Sequence, residues 1–91
     1  MNLRKQIQFS RLIKADGRLK EFNFLKIFGV KIPTYCVDVG DEKGFRYIFS
    51  LFNDGQSWKI SGEDLPDWVK EAENKLKGEV AAQEIATQKA L

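Results

Sequence analysis

Few groups in this chain have chemical capacity: one thiol, Cys36, with Asp38 two residues on; the segment Gly40-Asp41-Glu42-Lys43-Gly44; and the serines Ser10, Ser50, Ser57 and Ser61. In an extended segment Cys36 and Asp38 share a face, so a thiol–carboxylate pair is conceivable. A reactive thiol needs a positive neighbour or a base, and a carboxylate has the wrong sign. Cys36 therefore reads as a small apolar residue. The serines have no histidine to activate them, because the chain contains none, which leaves lysine assistance as their only route. Gly40 to Gly44 has two glycines and a lysine, but a phosphate cradle opens a helix, and this segment joins two strand-like runs. Asp41 and Glu42 fall well short of the roughly six to eight oxygens of a calcium site. With one cysteine and no histidine, neither an intrachain disulfide nor a cysteine-based zinc site can form. The expectation is a non-enzymatic protein with no catalytic, cofactor-binding or metal-binding residues.

The segments that position these groups are punctuated by Asp16-Gly17 and Asp54-Gly55, each between alternating apolar runs. Asp-Gly suits the type I′ hairpin turn, which needs positive φ at both central residues. A two-residue loop at Asp16-Gly17 pairs Ala15 with Arg18, Ile13 with Lys20, Arg11 with Phe22 and Phe9 with Phe24. Ile7, Phe9, Ile13, Phe22 and Phe24 then share one face with Arg11 and Lys20, and a one-residue slip would scatter them. The same loop at Asp54-Gly55 pairs Leu51 with Trp58 and Phe49 with Ile60. Tyr35, Val37 and Val39 alternate as well, and join Phe45, Tyr47 and Phe49 if their connection is three or five residues long. Gly44 suits the left-handed position of the shorter form. Gly29 to Pro33 breaks the pattern and connects the first hairpin to the later three strands.

The period then lengthens. Leu65, Trp68, Val69, Ala72 and Leu76 recur at helical spacing, with Pro66 placed for a first helical position. Gly78 ends or weakens this helix, and Glu79 to Leu91 extends it or frays. The chain, 91 residues long, is expected to be a single α+β domain over 1–78 with 79–91 as helix extension or tail. Its architecture is an antiparallel meander of about five strands with one C-terminal amphipathic helix packed on the aromatic face. Trp58 and Trp68 are expected in or beside the centre of the packing, with the hydroxyls of Tyr35 and Tyr47 at its wet edge.

Apolar residues are 43% and charged residues 31% of the chain, an ordinary globular balance with no run long enough to span a membrane. The start lacks the apolar stretch of a secretory signal, and a lone thiol suits a reducing compartment, so a cytoplasmic location is expected. Net charge is +2 but unevenly spread. Residues 1–31 hold eight basic residues (Arg4, Lys5, Arg11, Lys14, Arg18, Lys20, Lys26 and Lys31) against two acids, whereas residues 63–91 hold four basic and seven acidic.

Two partner readings follow. Leu12, Leu25, Ile27, Ile48 and Phe52 fall on the face away from the helix, or at bulges, and so small a core gains from association. A small protein-binding module is therefore expected, homodimeric in one version, with Leu12, Leu25, Ile48 and Phe52 as contacts. The alternative is a single-stranded DNA or RNA binder, with Arg11, Lys14, Arg18 and Lys20 of the first hairpin holding phosphates and rings stacking on bases. Four or five strands followed by one helix also resembles, in layout, the repeat unit of the PUR and whirly single-strand-binding proteins, which implies the same function. A solvated edge strand that discourages edge-to-edge pairing accounts for the same cations without any nucleic acid.

Overall fold

The Asp16-Gly17 turn sets the geometry of the first hairpin. Asp16 and Gly17 have φ of 57° and 73°, the two left-handed positions a type I′ turn requires. Strands β1 (Gln8–Ala15) and β2 (Arg18–Ile27) consequently pair as the sequence predicts, Ala15 with Arg18 through Phe9 with Phe24. β3 (Thr34–Gly40), β4 (Arg46–Asn53) and β5 (Trp58–Ser61) follow in one antiparallel meander, ordered β1-β2-β3-β4-β5. A computed structural model describes residues 6–89 of the chain, with side chains for 6–87. Arg4 and Lys5 of the basic set, and Ala90 and Leu91 of the tail, lie outside the described residues.

Between β3 and β4 the short loop form is adopted. Asp41 N–H donates to Phe45 O at 2.9 Å, and Gly44 takes φ 90°. The Asp41 carboxylate holds the turn by accepting from the Lys43 and Phe45 N–H groups. Tyr47 thereby faces Val39, and Phe49 faces Val37, but Phe45 lies beyond the strand and is exposed.

The Asp54-Gly55 hairpin departs from expectation. Asn53 pairs with Trp58 and Leu51 with Ile60, so the loop has four residues, Asp54 to Ser57. Asp54 does not take positive φ; its carboxylate instead accepts from the Gln56 and Ser57 N–H groups, while Asn53 Oδ1 accepts from Gly55 N–H. This side-chain capping favours the wider turn. The shift is two residues, an even number, so every side chain keeps its face.

Ile13, Phe22, Phe24, Tyr35, Val37, Val39, Phe49, Leu51 and Trp58 form a buried layer on one side of the sheet. The helical segment covers it with Val69, Ala72, Leu76 and Val80. This segment is two helices, α1 (Asp67–Glu71) and α2 (Glu73–Lys89), divided at Ala72. Pro66 is the residue before α1 rather than its first member, and its carbonyl accepts from Val69 N–H. α2 runs straight through Gly78. The two tryptophans take separate posts: Trp58 beside Tyr35, Trp68 edge-on to Tyr47.

Candidate interaction surface

The helix-covered face is where most of the hairpin's cations lie. Because Arg11, Lys20 and Lys26 alternate onto the aromatic side, each meets an acid there. Arg11 Nε donates to Glu79 Oε1 at 2.9 Å, and Lys26 Nζ to Glu84 Oε2 at 2.6 Å. Lys20 is only 5% exposed rather than projecting at the edge of the sheet. Its amine lies 2.7 Å from Glu42 Oε1 and 4.6 Å from the centre of the Trp68 ring, a cation–π contact. The lysine holds the Glu42 carboxyl below its usual range, chiefly through that hydrogen bond.

Tyr35 is fully buried, and its hydroxyl donates to Glu84 Oε2 at 2.6 Å instead of reaching solvent. Burial first, then this bond and the charge of Glu84, push the Tyr35 hydroxyl well above its usual value. Beyond Val80 the apolar stripe of α2 is thin, and Glu79 and Glu84 secure the rest of the helix. Charge could have revealed that such partners are needed: three cations on an aromatic face require anions, and the acid-rich tail supplies two of them, the β3–β4 turn the third.

Of the hairpin cations named as site residues, Arg11, Lys14 and Arg18 are exposed, Arg11 while paired with Glu79 and Arg18 with its Nε 3.7 Å from Glu42. Phe9 stacks on Phe24 at 4.6 Å between centroids, so its ring is engaged within the fold.

The opposite face of the sheet is uncovered by either helix. The register brings Leu12, Leu25, Ile48 and Phe52 to this side, together with Leu19, which sequence reasoning passed over. Leu12, Leu19 and Ile48 are 67%, 68% and 66% exposed, while Leu25, Ile27 and Phe52 are half-buried. Between them runs a polar ladder across four strands. Ser10 Oγ donates to Asn23 Oδ1 at 2.6 Å, Asn23 Nδ2 to Asp38 Oδ1 at 3.0 Å, and Arg46 pairs with Asp38. Asp38 is thus occupied by a guanidinium and an amide, and Cys36 stands beside it without a base. Among the described residues, no group of three or more Cys, Asp or Glu side chains is arranged to hold a metal ion.

Compared with known proteins, the chain matches no family model, no curated protein and no solved structure. Any functional reading therefore stands on these surfaces alone.

The loop from Lys26 to Pro33 borders a shallow hollow of about 230 Å³, with Phe28, Val30 and Ile32 exposed along it. No helix among the described residues is long and apolar enough to cross a membrane.

Proposed function

We propose that this protein is a small, non-enzymatic interaction module, acting in the cytoplasm, that docks a protein partner through the sheet face its helices leave open. The observation that carries this reading is the set of aliphatic side chains Leu12, Leu19 and Ile48, about two-thirds exposed on that one face. The Ser10–Asn23–Asp38–Arg46 ladder divides them, but all three stand on one uncovered side of the sheet, and exposed apolar side chains gathered on one face support an interaction site. The nucleic-acid alternative draws on cations of which Arg11, Lys20 and Lys26 are paired with Glu79, Glu42 and Glu84, and Arg18 stands near Glu42, leaving Lys14 and Lys31 as exposed cations without an ion pair among the described residues of 6–31.

The test is site-specific photo-crosslinking of the full chain in cells, with the probe at position 12 or 48 and, as control, at the exposed position 71 on α1. The reading expects a defined protein adduct from positions 12 and 48 that Leu19→Ser abolishes, and none from 71. No adduct above the control would overturn it. A fluorescent single-stranded oligonucleotide at low salt is expected to show no anisotropy change; a salt-sensitive rise would favour the alternative.

A further inference from the structure

Four residues at the hairpin end of the open face form a checkerboard. On β1 stand Leu12 and Lys14; on β2, Glu21 faces Leu12 and Leu19 faces Lys14. The two leucines occupy one diagonal, and the two opposite charges occupy the other. All four are exposed, and among the described residues neither Lys14 nor Glu21 has an ion-pair partner. The other acid and guanidinium of this face, Asp38 and Arg46, already neutralise each other.

This arrangement is complementary to itself. A two-fold axis laid along the leucine diagonal sets Leu12 against Leu12 and Leu19 against Leu19 of a second copy. The same rotation carries each Lys14 over the other copy's Glu21. An isologous contact needs this property, a patch that matches its own rotated image. Resting on the interaction-module reading above, we propose that the occupant of the hairpin end of the open face is a second copy of this chain, seated about that axis.

Two further observations favour face-to-face over edge-to-edge association. The outer edge of β1 is blunted, because the Ser10 carbonyl accepts from Arg11 Nη1 at 2.8 Å and the Lys14 carbonyl from Lys75 Nζ at 3.1 Å. The other edge strand, β5, is only four residues long. The available area also bounds the strength. Five strands about 4.8 Å apart, with seven residues at about 3.3 Å each, make a face on the order of 550 Å². The proposed axis crosses one corner of that face, so the two copies overlap only around the hairpin end, and Ile48 and Phe52 stay outside the contact. The buried area is then well below the ~1,100 Å² of two whole faces, under the range of stable specific interfaces, so the dimer is a weak, reversible one.

The experiment is sedimentation equilibrium of the full chain from about 10 μM to 1 mM, a range suited to a weak interface. Wild type is expected to rise from monomer mass toward twice that value, and Leu12→Ser to stay monomeric. K14E and E21K should each be monomeric alone, since each places like charges opposite one another twice. An equimolar mixture of the two should associate again, because both cross-contacts then pair opposite charges. A pairing within one chain cannot produce that rescue.

Wild type remaining monomeric throughout, or a mixture that stays monomeric, would overturn the second-copy proposal. If the photo-crosslinks at positions 12 and 48 then still yield an adduct with a different protein, the module reading survives without it. If they yield nothing, both fall. Circular dichroism of each variant, expected to match wild type, separates lost association from lost folding.

Discussion

Lys26 on β2 and Glu84 on α2 meet at 2.6 Å, with side chains only 18% and 19% exposed. Tyr35 completes the site by donating to the same carboxylate oxygen. Hydrogen bonds to a charged group contribute about 1.5–3 kcal/mol each, and deleting the shared acceptor strands both donors. Glu84→Ala is expected to lower stability by about 2–3 kcal/mol, a large part of the roughly 5–14 kcal/mol available to a domain of this size. Urea unfolding followed by circular dichroism should show a lower midpoint with an unchanged slope. An unaltered midpoint would mean that the second half of α2 is not held by this site.

The same site gives stability a dependence on pH at both ends. Burial acts to raise the Glu84 carboxyl, but the hydrogen bonds from Lys26 and Tyr35, with the lysine's charge, prevail and hold it below its usual 4.5. A depressed carboxylate contributes stability that is present above its unfolded value and lost as pH falls through its folded one. Tyr35 is raised above its usual 10.0, so its contribution is present below that value and lost as pH climbs beyond it. Stability should therefore be level from about pH 5 to 9 and decline on both sides. Glu84→Gln is expected to make the acid limb shallower, with the depressed Asp54 and Glu42 supplying what remains, and Tyr35→Phe to make the alkaline limb shallower, with the raised Tyr47 supplying the rest. Urea midpoints across pH 2–11 test both, and parallel curves would contradict the assignment.

How far the fold was legible follows from where the decisive chemistry lies. The first hairpin was fully readable because Asp16 and Gly17 carry the turn in their own backbone conformations. At Asp54-Gly55 the same dipeptide gave the right faces but the wrong loop, since the Asp54 carboxylate binds two N–H groups that the dipeptide rule ignores. The open face could be assigned by alternation alone, and Leu12, Leu25, Ile48 and Phe52 all fell on it. The ion pairs could not. Arg11 to Glu79 and Lys26 to Glu84 join residues 68 and 58 positions apart, and no local pattern encodes which acid meets which cation. Reading the tail by apolar spacing alone missed that charge holds it down.

Two glycines should respond oppositely to alanine. Gly78 lies exposed inside α2, and a Cβ there would meet nothing within 4 Å. Alanine at such a helix position gains about 0.5–1 kcal/mol through backbone entropy. Gly78→Ala is thus expected to raise Tm by about 3–6 °C. At Gly62, a Cβ would stand 2.9 Å from the Phe49 Cβ and 3.0 Å from Leu65 Cδ1. Backbone-proximal Phe49 Cβ cannot swing aside, so Gly62→Ala must displace the segment leading into α1 and should lower Tm. Scanning calorimetry of the two variants decides the matter; shifts of the same sign would refute one of the two arguments.

Lys20 tests whether its buried charge stabilises the fold or only requires compensation. Its amine is enclosed by Glu42 and the Trp68 ring, and bringing an ammonium out of water costs several kcal/mol, which its partners offset. Methionine keeps the length of the stem and its contact with Trp68 while removing that requirement, so Lys20→Met should lie within about 1 kcal/mol of wild type. Glu42→Ala, in contrast, leaves the ammonium buried without its carboxylate and should destabilise the protein. In the Lys20→Met background the same Glu42→Ala change should have little effect, since no buried charge remains to be balanced and the well-exposed Arg18 keeps its water. A double-mutant cycle by urea unfolding measures this coupling directly. Equal effects of Glu42→Ala in both backgrounds would mean that Glu42 acts through the β3–β4 turn rather than through the lysine.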